Sequence, residues 1–154
     1  EALNWLKTVV PVLKYNDEEI IDFSNWNAKS VYFYDKDRNI VEFISRRNFC
    51  KPELGVFTAE NIVGIAEIGL ATSNIKEVFE QLNVKSDLHK YDGDYEHFCA
   101  IGEDSGLFIV VNKHNKEWFP TNDNADLSDF QLDFEHKNKN FQLKFENDIV
   151  SISE

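Results

Sequence analysis

Cysteine is nearly absent from this chain: Cys50 and Cys99 are the two it carries, far apart and matching no metal-binding or redox spacing. Both are read as reduced thiols in the core or at its boundary. Lysine and arginine are scarce as well, 16 against 28 aspartates and glutamates, which leaves a net charge of -12 and a pI near 4.7. A nucleic-acid backbone needs clustered basic residues, and the few present here are scattered, so nucleic acid is excluded as a partner. No stretch reaches the roughly 18 uncharged apolar residues of a membrane helix, which excludes a helical span. A glycine-rich phosphate loop, a nucleophile elbow, a zincin helix and a Cys-His arrangement are all missing, and their chemistries are set aside with them.

Large apolar side chains are plentiful. Hydrophobic residues make up 42% and aromatics 14% of the 154, with 13 phenylalanines among them, enough to fill the core of one domain or two small ones. The acidity has two consequences: it attracts cationic ligands by steering, and it keeps a cytoplasmic protein of bacterial type in solution. A cytoplasmic location is expected. Residue 1 is Glu and stands in what reads as the end of a helix, so an N-terminal segment ahead of it is expected.

Ala2, Leu3, Trp5 and Leu6 have the spacing of a helix end, closed by the β-branched run 8–12 and Pro11. Ile20, Ile21 and Phe23 predict a short strand. Residues 30–34 and 40–45 predict a hairpin, joined by the polar turn 35–39. Residues 46–61 read as a linker. A second unit opens with a strand over 62–72, and Asn74 with Glu77 three residues later signals a helix start. Ile75, Val78, Phe79 and Leu82 then fall on one helical face. Residues 87–94 read as a polar loop, while 95–101 and 107–111 read as strands about a turn at 102–106; the unit is taken as strand, helix, three strands. The first hairpin superimposes on the second by the same pattern, as an internal repeat whose first copy lacks its opening strand, roughly 15 or more residues. Alternation at Phe130, Leu132, Phe134 and at Phe141, Leu143, Phe145, with a turn at 136–140 and a last strand at 149–152, predicts a C-terminal meander.

SVYFYDKDRNIVEFISR at 30–46 resembles the signature hairpin of the glyoxalase, bleomycin-resistance and ring-cleaving dioxygenase proteins, the vicinal-oxygen-chelate superfamily. GIAEIGLATSNIKEVFEQL at 64–82 is similar to the opening strand and helix of that superfamily's second module, and GEDSGLFIVV follows in the required order. The resemblance covers roughly residues 1–115 and departs at Lys36 and Arg38, where the family has Pro and Gly, so αL strain or another geometry is expected in the turn. It implies an α+β fold of tandem βαβββ modules forming a curled mixed sheet. The expected organisation is a truncated first module over 1–48, a linker over 49–61, a second module over 62–115 and a β extension over 116–154.

The resemblance further implies a divalent-metal site. Glu42 matches the fourth-strand ligand of the first module, and Glu67 stands at the first-strand position of the second, where many members have His. Two carboxylates without an imidazole would favour Mn, Fe or another hard ion over Zn. The fourth-strand position of the second module is Ile109 or Val110, neither a ligand. The residues make the acids of interest independently, because Glu42 alternates with Ile40 and Ile44 and Glu67 lies among Ile65, Ala66, Ile68 and Leu70. A carboxylate on an apolar strand face needs a partner, whether a metal or an Arg, Tyr or backbone donor. His97 is a lesser candidate as base or ligand on a strand; His89, His114 and His136 are read as solvated turn residues. Tyr32, Tyr34, Trp26 and Trp118 are candidates to line a pocket, or else core.

Two functions are compatible with this reading. One is a metal-dependent enzyme of lyase, isomerase or dioxygenase type on a small oxygen-bearing molecule, with Glu67 moving a proton. The other is a metal-free small-molecule binding or antibiotic-sequestering protein of the bleomycin-resistance type. A small-molecule ligand or substrate is the expected partner, a homodimer is an allowed assembly, and a scaffold role for the sheet edges and meander is a third alternative.

Overall fold

A computed structural model describes residues 1–51 and 55–154; of the expected linker, positions 52–54 lie outside the described residues. The architecture is α+β, mostly strands in several sheets with few helices. The chain divides into two compact units, 1–65 and 66–154. No helix among the described residues is long and apolar enough to cross a membrane.

In the first unit, α1 (Ala2–Leu6) is followed by β1 (Ile21–Phe23), β2 (Ala28–Tyr34) and β3 (Ile40–Arg46), an antiparallel sheet in the order β1-β2-β3. The hairpin is the one read from the β-branched and aromatic runs, with Tyr34 opposite Ile40 and every pair from there to Ala28 and Arg46 in register. Its turn is organised by Asp35, whose carboxylate accepts hydrogen bonds from the Asp37 and Asn39 amides and the Asn39 side chain at 2.8–2.9 Å. These bonds supply what Pro and Gly supply elsewhere, and Arg38 takes the left-handed conformation at φ 71° with its guanidinium over the Tyr34 ring. Alternation along the strands puts Val31, Phe33 and Phe43 on one face, where Trp5 of α1 stacks on Phe43 at 6.3 Å. Tyr32, Glu42, Ser30, Ile44 and Arg46 occupy the other.

The second unit contains β4 (Glu67–Thr72), α2 (Ile75–Ser86), β5 (Lys90–Gly93), β6 (Phe98–Glu103) and β7 (Gly106–Asn112) in a mixed sheet ordered β4-β7-β6-β5. β4 and β7 run parallel, which the α2 crossover makes possible. Asn74 caps α2 by accepting from the Glu77 amide, and its own amide group donates to the Glu77 carboxylate, so the cap is a variant of the reciprocal box. Ile75, Val78 and Leu82 are buried against Leu70, Cys99, Ile101, Phe108 and Val110.

Three expectations are corrected. The strand expected over 62–72 begins at Glu67, because β7 offers no partner before Leu107; Val63 and Ile65 are left 80% and 92% exposed. The polar loop expected over 87–94 contains β5, an edge strand paired to β6 through a register shift between Lys90 and Asp92. The strand expected from Tyr95 begins at Phe98, since Asp94 accepts from the Glu96 and His97 amides and holds 94–97 as a turn.

After β7 come a small hairpin, β8 (Glu117–Trp118) with β9 (Asp123–Asn124), and the meander β10 (Phe130–His136), β11 (Lys139–Glu146) and β12 (Ile149–Ser153). Every second residue of β11, Phe141, Leu143 and Phe145, is buried. Leu143 and Phe145 belong to the same core as α2 and the inner strands, and Phe134 meets Phe108 edge to face at 5.3 Å. The meander is thus part of the core of the second unit.

Candidate functional site

Glu42 and Glu67 lie in separate units. Glu42 stands in the middle of β3, directly opposite Tyr32, whose hydroxyl donates to Glu42 Oε1 at 2.6 Å. A phenol-to-carboxylate bond of this length is charge-assisted, and it is one of the pairings that a half-buried carboxylate among isoleucines requires. Ser30 and Arg46 share the face and are almost fully buried. The Ser30 hydroxyl has no hydrogen-bond partner among the described residues, which makes the stripe incompletely satisfied. Replacing Tyr32 by phenylalanine should cost about 1–2 kcal/mol in a urea unfolding curve, because Glu42 loses its donor while the ring packing stays; Tyr34→Phe serves as the control for a phenol elsewhere on the strand.

Glu67 begins β4, half-buried and opposite Leu107. Since Leu70 faces α2, alternation turns Glu67, Gly69 and Ala71 to the opposite face, together with Leu107, Ile109 and Val111 of β7. Of the two residues considered for the fourth-strand position, Ile109 shares the face of Glu67, while Val110 is buried on the helix side. The face also carries a feature that the motif reading missed. The six-membered ring of Trp118 lies on Gly69, so close that a Cβ built there would meet its ring atom Cη2 at 2.8 Å. Ala71, Val111 and Ala125 form the buried floor beside it, with Phe98 packed against them. An isolated glycine inside a strand pattern is a signal of such close approach, and Gly69 is the residue that carried it.

The other candidates separate. His97 lies in the turn before β6, its ring 54% exposed beside Asp94, and not on a strand. His89 is exposed, its Nε2 3.6 Å from the Asp87 carboxylate. His136, read as a solvated turn residue, ends β10 half-buried, its Nε2 buried and without a hydrogen-bond partner among the described residues. Tyr32, Tyr34 and Trp26 belong to the first unit and Trp118 to the second. Both cysteines are free thiols; burial pushes the Cys99 thiol up to about 11, and it is inert.

Among the described residues, no group of three or more His, Cys, Asp or Glu is placed to hold a metal ion. Glu42 has a tyrosine as its cross-strand partner and Glu67 a leucine, so the donor set falls short of the three or more protein ligands that catalytic zinc or calcium sites use. No protein-family model matches this chain, and no curated protein matches it.

Proposed function

We propose that this chain is a small-molecule binding protein of the glyoxalase and bleomycin-resistance kind, taking a cationic aromatic ligand on the sheet face turned away from α2. One observation carries the reading: a half-buried carboxylate, Glu67, and a half-exposed indole, Trp118 lying on Gly69 two residues further along β4, share that face. An aromatic plane beside an anion suits a flat cation, by ring contact and by charge. The net charge of -12 steers such a ligand inward. The repeated hairpin and the strand, helix, three-strand order of the second unit support the superfamily assignment.

Titration of the whole chain with a panel of cationic aromatic compounds, followed by tryptophan emission, should give saturable changes. Glu67→Gln should weaken the best binder by about tenfold or more, the loss of one charge-assisted contact. Flat titrations across the panel sink the proposal. Stoichiometric binding of Mn or Fe at micromolar metal in a parallel titration, lost in Glu67→Gln, would favour a metal-dependent enzyme over the binder.

A further inference from the structure

We propose that Asp92 and Gly93 form a site of spontaneous backbone modification, at which the Asp92 side chain cyclises onto the Gly93 amide and reopens to isoaspartate. Gly93 follows an aspartate, and no other glycine of the chain follows Asp or Asn. The pair closes β5, an edge strand. Since the Asp94 amide donates across to the Phe98 carbonyl at 2.7 Å, alternation along an antiparallel ladder turns the Gly93 amide outward, off the edge. There it donates to Asp92 Oδ1 at 2.7 Å. The nitrogen thus already touches the carboxyl group it must attack, with no ladder bond to break first.

The fold itself requires the glycine. Its φ is 90°, and a Cβ built there would collide with the Phe98 carbonyl oxygen. A bare α-carbon also leaves the approach to its nitrogen open, and Asp92 is exposed, so solvent reaches the ring that forms. The Lys90 ammonium, donating to the Gly93 carbonyl at 3.0 Å, puts a positive charge near the nitrogen as its proton leaves. The chemistry balances on water alone. The Gly93 nitrogen gives its proton to solvent base and bonds to Cγ of the Asp92 carboxylic acid, which loses its hydroxyl as water. Water then opens the succinimide: addition at Cγ restores aspartate, while addition at the Asp92 main-chain carbonyl routes the chain through Cβ and Cγ and lengthens it by one methylene. That extra atom enters an edge whose pairing already shifts register between Lys90 and Asp92.

The proposal is tested on the whole folded chain, held at neutral pH in heavy-oxygen water, digested with trypsin in ordinary water and mapped at the peptide 91–113. Each passage through the ring leaves a heavy oxygen on residue 92, and isoaspartate appears as an isobaric peptide of shifted elution. Both should accumulate there at least about tenfold faster than in any other aspartate-bearing peptide. The folded chain should react within about threefold of the rate of the same chain unfolded in urea, because the strand holds nitrogen and carboxyl group together. Asp92→Asn, neutral and with ammonia as the leaving group, should speed ring formation by about tenfold or more. Asp92→Glu, whose ring would need a further carbon, should abolish the label at this position; the side chain is exposed, and both variants fold. A folded chain that takes no label at residue 92, whatever the unfolded chain does, overturns the proposal. So does label in the peptide that persists undiminished in Asp92→Glu, which would place the reaction at Asp94 or Asp104.

Discussion

Replacing Phe145 by alanine will lower the stability of the second unit by about 3–5 kcal/mol, enough to move its thermal midpoint by roughly 15 °C or more. Phe145 is completely buried near the end of β11, with Leu143 beside it on the strand and the Phe130 ring 5.7 Å away. It belongs to the same cluster as Ile75, Val78 and Leu82 of α2. The loss combines the transfer of a benzyl group to water with a cavity that packed neighbours cannot close. Lys144, whose side chain is half-exposed and paired with Glu146, provides the contrast: Lys144→Ala should change stability by no more than about 0.5 kcal/mol. Urea unfolding of the two variants separates a meander that is integral to the core from one that merely extends the sheet. A Phe145→Ala loss below about 1 kcal/mol would show the latter.

Asp148 will have the second large effect, and it is visible in acid. The turn between β11 and β12 places Asn147 and Asp148 in the left-handed region. From there the Asp148 carboxylate accepts from the Thr72 hydroxyl at 2.7 Å, the Ser73 hydroxyl at 2.6 Å and the Lys113 ammonium at 2.9 Å. One side chain therefore ties the meander to the β4-α2 junction and to the segment after β7. Burial alone would raise its pKa, but the hydrogen bonds from Ser73, Thr72 and Lys113 outweigh burial and hold it at about 2, against 3.8 for a free aspartate.

The sign follows from that depression. A carboxylate with a lowered folded pKa contributes stability in full above its unfolded value. That contribution is lost as pH falls from about 4 through about 2, an amount on the order of 2 kcal/mol. Asp148→Ala should cost about 2–4 kcal/mol at neutral pH, because the half-buried Lys113 is left without its anion. It should also flatten the stability profile between roughly pH 4 and 2, the window set by those two values. Asp148→Asn keeps the shape and the acceptor for Thr72 but not the charge, and should fall between. An acid limb of unchanged steepness in Asp148→Ala would mean that other carboxylates carry it.

How much of this was legible follows the reach of each signal. The hairpin read at 30–34 and 40–45, which the structure extends to Ala28 and Arg46, the helix after Asn74 and the alternation of the meander are local patterns, and they stand where their periodicity puts them. The Tyr32 partner of Glu42 was within reach too, since pairing Tyr34 with Ile40 across the Asp35 turn forces Tyr32 opposite Glu42. β5 was not, because its Lys-Tyr-Asp-Gly run has no apolar alternation; it is a strand only because β6 offers its edge. The early start expected for β4 had the opposite cause, β-branched residues with no neighbouring strand to pair with. The ring of Trp118 on Gly69 and the hold of Asp148 on Thr72 join residues 49 and 76 positions apart. No spacing rule spans such distances, and only the single glycine inside β4 hinted at either.

The two units also differ in the time their closure takes. Ladders in the first unit join residues close in the chain, the farthest pair in its hairpin being Ala28 and Arg46. The second cannot form its parallel β4-β7 ladder until a crossover of some forty residues has collapsed, as Glu67 with Leu107 marks, nor seat Thr72 on Asp148 until a still longer loop has closed. Loop closure is an entropic barrier met before its contacts give anything back. On refolding from denaturant the hairpin unit therefore gains its structure first, and the slower step belongs to the half that carries Glu67 and Trp118.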